Sequence, residues 1–67
     1  MPTEIFFARG DSVKVTAELG EVVAAIQVGD VLDTARFSGF RGEEIVGAER
    51  TIVHVGAIAY ATAIPGP

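Results

Sequence analysis

The chain has no cysteine and no tryptophan, a single histidine, and only five basic residues against nine acidic ones among its 67 positions. Without cysteine there are no disulfides and no thiolate metal sites, a usage that accords with a reducing compartment. A lone histidine argues against a structural zinc site. The net charge of −4 gives a surface that repels a phosphate backbone. Arg36, Arg41 and Arg50 are spread through the middle of the chain, so nucleic acid is not an expected partner. The longest apolar stretch, Thr51 to Ile64, is shorter than the roughly 20 residues a membrane span needs. The opening residues Met1-Pro2-Thr3-Glu4 carry no positive segment of the signal-peptide kind, which makes a cytoplasmic location the expectation. No repeat, linker or low-complexity tract divides the sequence, which reads as one small domain over residues 1–67.

What the chain does have is apolar surface: 49% of its residues are hydrophobic, too many for a disordered segment of ordinary charge. A domain of this size buries only about 60% of its unfolded surface. Its core rarely supplies more than about 3–5 kcal/mol unaided. With disulfides and zinc set aside, association with further copies is the economical source of added stability. The Thr51 to Ile64 stretch sharpens that expectation. At the two-residue period of a strand, Val53, Val55, Ala57, Ala59, Ala61 and Ala63 share one side, and Ile52, His54, Gly56, Ile58, Tyr60, Thr62 and Ile64 the other. Both sides are apolar, so both call for cover, and the small-residue side suits the close approach of a helix. Gly56 is placed to bend the segment into two short strands. Alanine is a poor strand former, and a short helix over 57–63 ended by Pro65 is the competing reading.

Upstream, Ile5 to Ala8 reads as a strand stopped by the turn residues Arg9-Gly10-Asp11-Ser12. Val13 and Val15 then alternate with Ser12, Lys14 and Thr16 as its hairpin partner. From Thr16 the period lengthens: Leu19, Val22, Val23 and Ile26 mark one face of a helix, with Thr16 as N-cap and Gly29 as stop. Gly20 weakens this reading and leaves open a hairpin turning at Leu19-Gly20. A third strand follows around Ala35 and Phe37, and Gly39 and Gly42 frame a loop carrying Phe40 and Arg41. Glu43 to Val46 reads as a fourth strand and Gly47-Ala48-Glu49-Arg50 as a turn.

Gly42-Glu43-Glu44-Ile45 and Val53-His54-Val55-Gly56-Ala57-Ile58-Ala59-Tyr60 together make a Gly-rich turn, a strand, a break and a final apolar strand. This pattern is similar to that of short, mostly uncharacterised actinobacterial and phage proteins, and more distantly resembles the FlbD-type flagellar small-protein family. The break here reads His54-Val55-Gly56, without Asn or Pro. The resemblance covers about half the chain and implies a small regulatory adaptor that binds one specific protein; it brings no catalytic residues. A ring-forming tryptophan-sensing RNA-binding attenuator has comparable size and strand content, but an obvious set of basic residues for RNA is lacking here.

His54 is the only imidazole, and its strand neighbours are apolar. A triad would need Ser12 or Ser38 and Asp11 or Asp33 delivered by the fold, and no Gly-x-Ser-x-Gly elbow is present. Arg9-Gly10-Asp11 spells an integrin-binding tripeptide, but with no secretion signal it reads as a hairpin turn. Adjacent Glu43 and Glu44 point to opposite faces of a strand, so they form no acid/base pair. Phe40 beside Arg41 has the composition of an interface anchor, and equally that of an aromatic folded back beside a solvated guanidinium.

The expected fold is α+β: a small antiparallel sheet of about five strands, in the order β-β-α-β-β-β along the chain, with one helix packed on one face and the other face largely apolar. The expected function is a non-enzymatic homo-oligomer without cofactor. Its interface candidates are Phe40, Arg41, Ile52, His54, Ile58, Tyr60 and Ile64. The alternatives are an adaptor for one protein partner and a ring-shaped small-molecule sensor or sponge.

Overall fold

A computed structural model describes residues 1–41 and 44–65, with the side chains of Phe40 and Ile45 outside the description. The elements follow in the order β1 (Thr3–Phe7), β2 (Ser12–Val15), α1 (Leu19–Val28), β3 (Val31–Arg41), β4 (Glu44–His54), a single 3-10 turn (Val55–Ala57) and β5 (Ile58–Ala63). All five strands join one antiparallel sheet in the order β4-β3-β2-β1-β5, with α1 on one face. This is the α+β arrangement the periodicities predict. None of the described helices is long and apolar enough to cross a membrane.

The connection between the two edge strands dictates the shape of the sheet. In a flat sheet β4 and β5 would lie four strand spacings apart, about 19 Å. Only three residues separate His54 from Ile58. Four residue steps span at most about 14 Å, and in a 3-10 turn less. The sheet therefore curls until its edges approach. Its inner face holds the core of Ile5, Val15, Leu32, Val53 and Val55, closed by Val22 and Ala17. Gly56 lies in the 3-10 turn, so the bend falls where the sequence places it, and 57–63 is strand rather than helix. Ala61 and Ala63 of β5 face inward, with Ala61 against the core beneath α1, whereas Ala59 falls at the register shift opposite Phe6 and Phe7 and is exposed, which turns Ile58 inward instead.

Several boundaries depart from the sequence reading. Thr16 does not cap the helix: its N–H still donates to Ala35 across the β2/β3 seam, and α1 begins after Glu18. Gly29 does end it, in the left-handed conformation at φ 77°, with its N–H on the Ala25 and Ile26 carbonyls. The buried helical face is narrower than predicted. Val22 is fully buried and Ala25 packs on the core, whereas Val23 and Ile26 are exposed.

The larger correction concerns β3 and β4, which are eleven residues each. Gly39, Phe40 and Arg41 belong to β3 rather than a loop. Gly47 to Arg50 are mid-strand rather than a turn, and β4 runs on to His54. Gly39 pairs with Gly47 between two register shifts, one at Ser38 and one at Val46. A Cβ on Gly39 would lie 3.1 Å from Val46 Cγ2, and one on Gly47 would lie 3.2 Å from Ser38 Oγ. The two glycines thus serve close backbone packing at a pair of opposed bulges.

The chain between β2 and α1 is clamped from both sides. The buried Thr3 hydroxyl donates to the Ala17 carbonyl at 2.8 Å, and the Ala17 N–H donates to Thr34 Oγ1 at 3.2 Å. Thr3→Val keeps the shape but leaves that carbonyl without its hydroxyl donor. We expect a loss of about 1–3 kcal/mol, measured as a lower urea midpoint at unchanged m-value.

Candidate functional site

The β1–β2 turn is a polar surface feature held by its own backbone and side-chain hydrogen bonds. The Phe7 N–H donates to the Asp11 carbonyl at 2.9 Å and the Gly10 N–H to the Phe7 carbonyl at 3.0 Å. Gly10 has φ 109°, which favours glycine. The Arg9 guanidinium donates to Asp11 Oδ1 at 2.7 Å and lies 5.6 Å from the centre of the Phe7 ring. That hydrogen bond holds the Asp11 carboxyl below the usual carboxylate range. The Arg9-Gly10-Asp11 tripeptide is thus a hairpin turn whose two charges engage each other.

Beside this turn the curled sheet stays open. An inner-face groove of about 370 Å³ lies between the β1–β2 turn and the β3–β4 hairpin, floored by Phe7, Val13 and Val53 and bordered by Arg36 and Thr51. Arg36 pairs with Glu49 directly across the strands, Nη2 to Oε1 at 2.5 Å. On the outer face Arg50 reaches Asp33 diagonally at 2.7 Å, and its hydrogen bond lowers the Asp33 pKa. Such exposed pairs contribute little stability but fix the register of the hairpin.

The predicted interface residues do not form one face. Ile52 and His54 project from the outer face of edge strand β4, with His54 opposite Val31. Tyr60 is 58% exposed at the other edge, stacked on Phe6 at a centroid distance of 4.5 Å. Ile58 turns inward against the core, and Ile64 is half-buried, its N–H donating to the Pro2 carbonyl at 2.8 Å. Arg41 is exposed opposite Glu44 at the end of the hairpin, and Phe40 pairs with Ile45. Of the expected Phe40–Arg41 anchor, the aromatic side chain lies outside the described residues, as do Gly42, Glu43 and the Gly66-Pro67 tail.

The outer face is mixed rather than largely apolar. Glu4, Ser12, Lys14, Asp33, Arg50 and Thr62 alternate there with Phe6, Ala35, Ile52 and Tyr60. The polar members come from strands whose inner positions already supply the core.

His54, Asp11 and Ser12 all border the groove, but they are not a triad. The Ser12 hydroxyl donates to Glu4 at 3.2 Å, and Asp11 is held by Arg9. Among the described residues no side-chain hydrogen bond links His54 to either, and no cluster of His, Asp and Glu is placed to hold a metal. Two features escape the sequence reading. Phe6 and Phe7, taken there as one apolar run, divide between outer and inner faces, a consequence of the strand period. Val31, ahead of the third strand read around Ala35 and Phe37, begins β3 beside Ile52 and makes the outer apolar patch with it. Comparison of the chain with protein-family models, with curated proteins and with solved structures finds no match.

Proposed function

We propose that this protein is a non-enzymatic binding protein that works as a homo-oligomer, associating along the edge of β4 where Val31 and Ile52 lie together. One observation carries the reading. Among the described residues, eight large hydrophobic side chains are exposed, against seven apolar residues that are buried. A 67-residue chain that leaves so much apolar surface outside its core gains from covering it with a second copy. Val31, 41% exposed, and Ile52, 48% exposed, are diagonal neighbours on adjacent strands. The far side of β4 faces no strand among the described residues, so its backbone groups are free to join a partner's.

The test is the solution mass of the chain by light scattering coupled to size exclusion, over a range of concentration. A discrete multiple of 7.0 kDa that persists on dilution is the expected result. A monomer that stays soluble at high concentration overturns the proposal.

A further inference from the structure

Among the described residues the seam between β2 and β3 closes at one point. Val15 is opposite Arg36, and the Thr16 N–H donates to the Ala35 carbonyl at 2.8 Å. Among the described residues no further pair continues the ladder, although β2 runs back to Ser12 and β3 runs on to Arg41. The two strands diverge into a wedge. Ladder bonds alternate along a strand, so the edge that presents Thr16 to β3 also carries the backbone groups of Ser12, which have no strand beside them there.

The wedge is open on both faces of the sheet. The inner-face groove of about 370 Å³ is one mouth. A second cavity of about 360 Å³ lies on the outer face, bordered by Glu4, Lys14 and Phe37, and the two share Ser12, Val13 and Arg36. Their linings differ in part. Phe7, Val13 and Val53 give the inner mouth an apolar floor within a polar border that includes Arg9, Asp11, Arg36 and Thr51, while the outer mouth presents a carboxylate and an ammonium group.

The geometry points to a docking site for an extended peptide segment of a partner protein, whose residues alternate between apolar and charged. Free backbone edges call for a strand, because an added strand supplies the missing N–H and C=O partners. Successive side chains of a strand point to opposite faces. One set enters the apolar groove against Phe7, Val13 and Val53, and the other meets Lys14 and Glu4 outside. A globular partner or a compact small molecule would satisfy neither the backbone edge nor both mouths at once. The inner groove also borders Thr51 to His54 of β4, so docking and self-association are told apart by their readouts: peptide-induced shifts at Ser12, Lys14 and Gly39 for the wedge, and solution mass for self-association.

A library of random eight-residue peptides displayed on phage, selected on the full chain, supplies the probe. The expected outcome is enrichment of sequences with an apolar residue at every second position. Synthetic copies of the enriched peptides should shift the amide NMR signals of Ser12, Lys14, Phe37 and Gly39. Val13→Glu should weaken them tenfold or more. Because Val13 is half-buried and its replacement could disturb folding, Lys14→Glu at an exposed position is the second variant. It should reverse the preferred charge at the outward peptide positions while leaving the rest of the spectrum unchanged. No enrichment above background, enriched peptides without alternation, or shifts confined to residues away from β2 and β3 would each overturn the proposal.

Discussion

Ile5→Ala is expected to leave most of the chain unfolded at 25 °C and low concentration. Ile5 is 0% exposed on β1, which has β2 on one side and β5 on the other, and it faces Val13 and Ala61 in the two ladders. Truncating a buried isoleucine costs about 2–5 kcal/mol, the spread reflecting how far the surroundings collapse into the cavity. A core of this size supplies about 3–5 kcal/mol in all. The two ranges overlap, so the deletion consumes most or all of the stability of the isolated chain. Dilute conditions matter because association of folded copies raises apparent stability by mass action. Far-ultraviolet circular dichroism with a thermal melt reads the effect. Ile52→Ala, at an exposed position, should stay within about 0.5 kcal/mol of the parent under the same dilute conditions. A cooperative melt for Ile5→Ala close to the parent's would show that β1 is not the centre of the core.

The parts of this fold that were legible in the sequence are those whose signals are local. The β1–β2 hairpin announces itself by the alternation of Val13 and Val15 with polar neighbours and by Gly10-Asp11 between two apolar runs. Gly29 ends α1 because a left-handed residue is needed there, and glycine adopts that conformation without strain. Gly56 lies in the 3-10 turn between β4 and β5, where the sequence places the bend, though without a positive φ.

What misled was the β3–β4 hairpin, where the deciding information is not local. Glu49 and Arg50 read as turn residues because both are charged and follow Gly47. Once the hairpin forms, each meets an opposite charge on β3, Arg36 and Asp33 respectively. That pairing exists only in the folded register. Gly39 and Gly47 likewise look like breakers until they stand opposite each other. The candidate site was hidden for the same reason: Val53 is distant in sequence from Phe7 and Val13 and reaches them because the sheet curls. The two-sided apolar segment divides differently from its period: Val53, Val55 and Ala61 of the small-residue side and Ile58 of the bulky side pack on the core, while Ala57, Ala59, Ile52 and Tyr60 stay outside.

On the proposed association along β4, Ile52→Lys is expected to leave a 7.0 kDa monomer at concentrations where the parent would be associated. Fully burying an isoleucine is worth about 1.5–3 kcal/mol, and Ile52 is 48% exposed in the isolated chain, so covering the remainder contributes about 1 kcal/mol per copy. A two-fold interface uses the same patch twice, so one substitution removes the contribution twice. Lysine adds the cost of desolvating an ammonium group against Val31. A total of about 2–3 kcal/mol corresponds to a dissociation constant weaker by roughly 30- to 150-fold. In a two-fold contact the two introduced ammonium groups also approach each other, and that local repulsion adds to the loss although the substitution lowers the net charge of −4 in magnitude. Val23→Lys is the informative partner experiment: Val23 is 45% exposed on the outer flank of α1, nearly matched to Ile52 in accessibility but on a different surface. Loss of association with Ile52→Lys alone places the contact on the β4 edge. Loss with Val23→Lys alone moves it to the helix and leaves the edge of β4 protected by its own bulge at Val46, one of the ways in which natural sheets keep their edges from pairing.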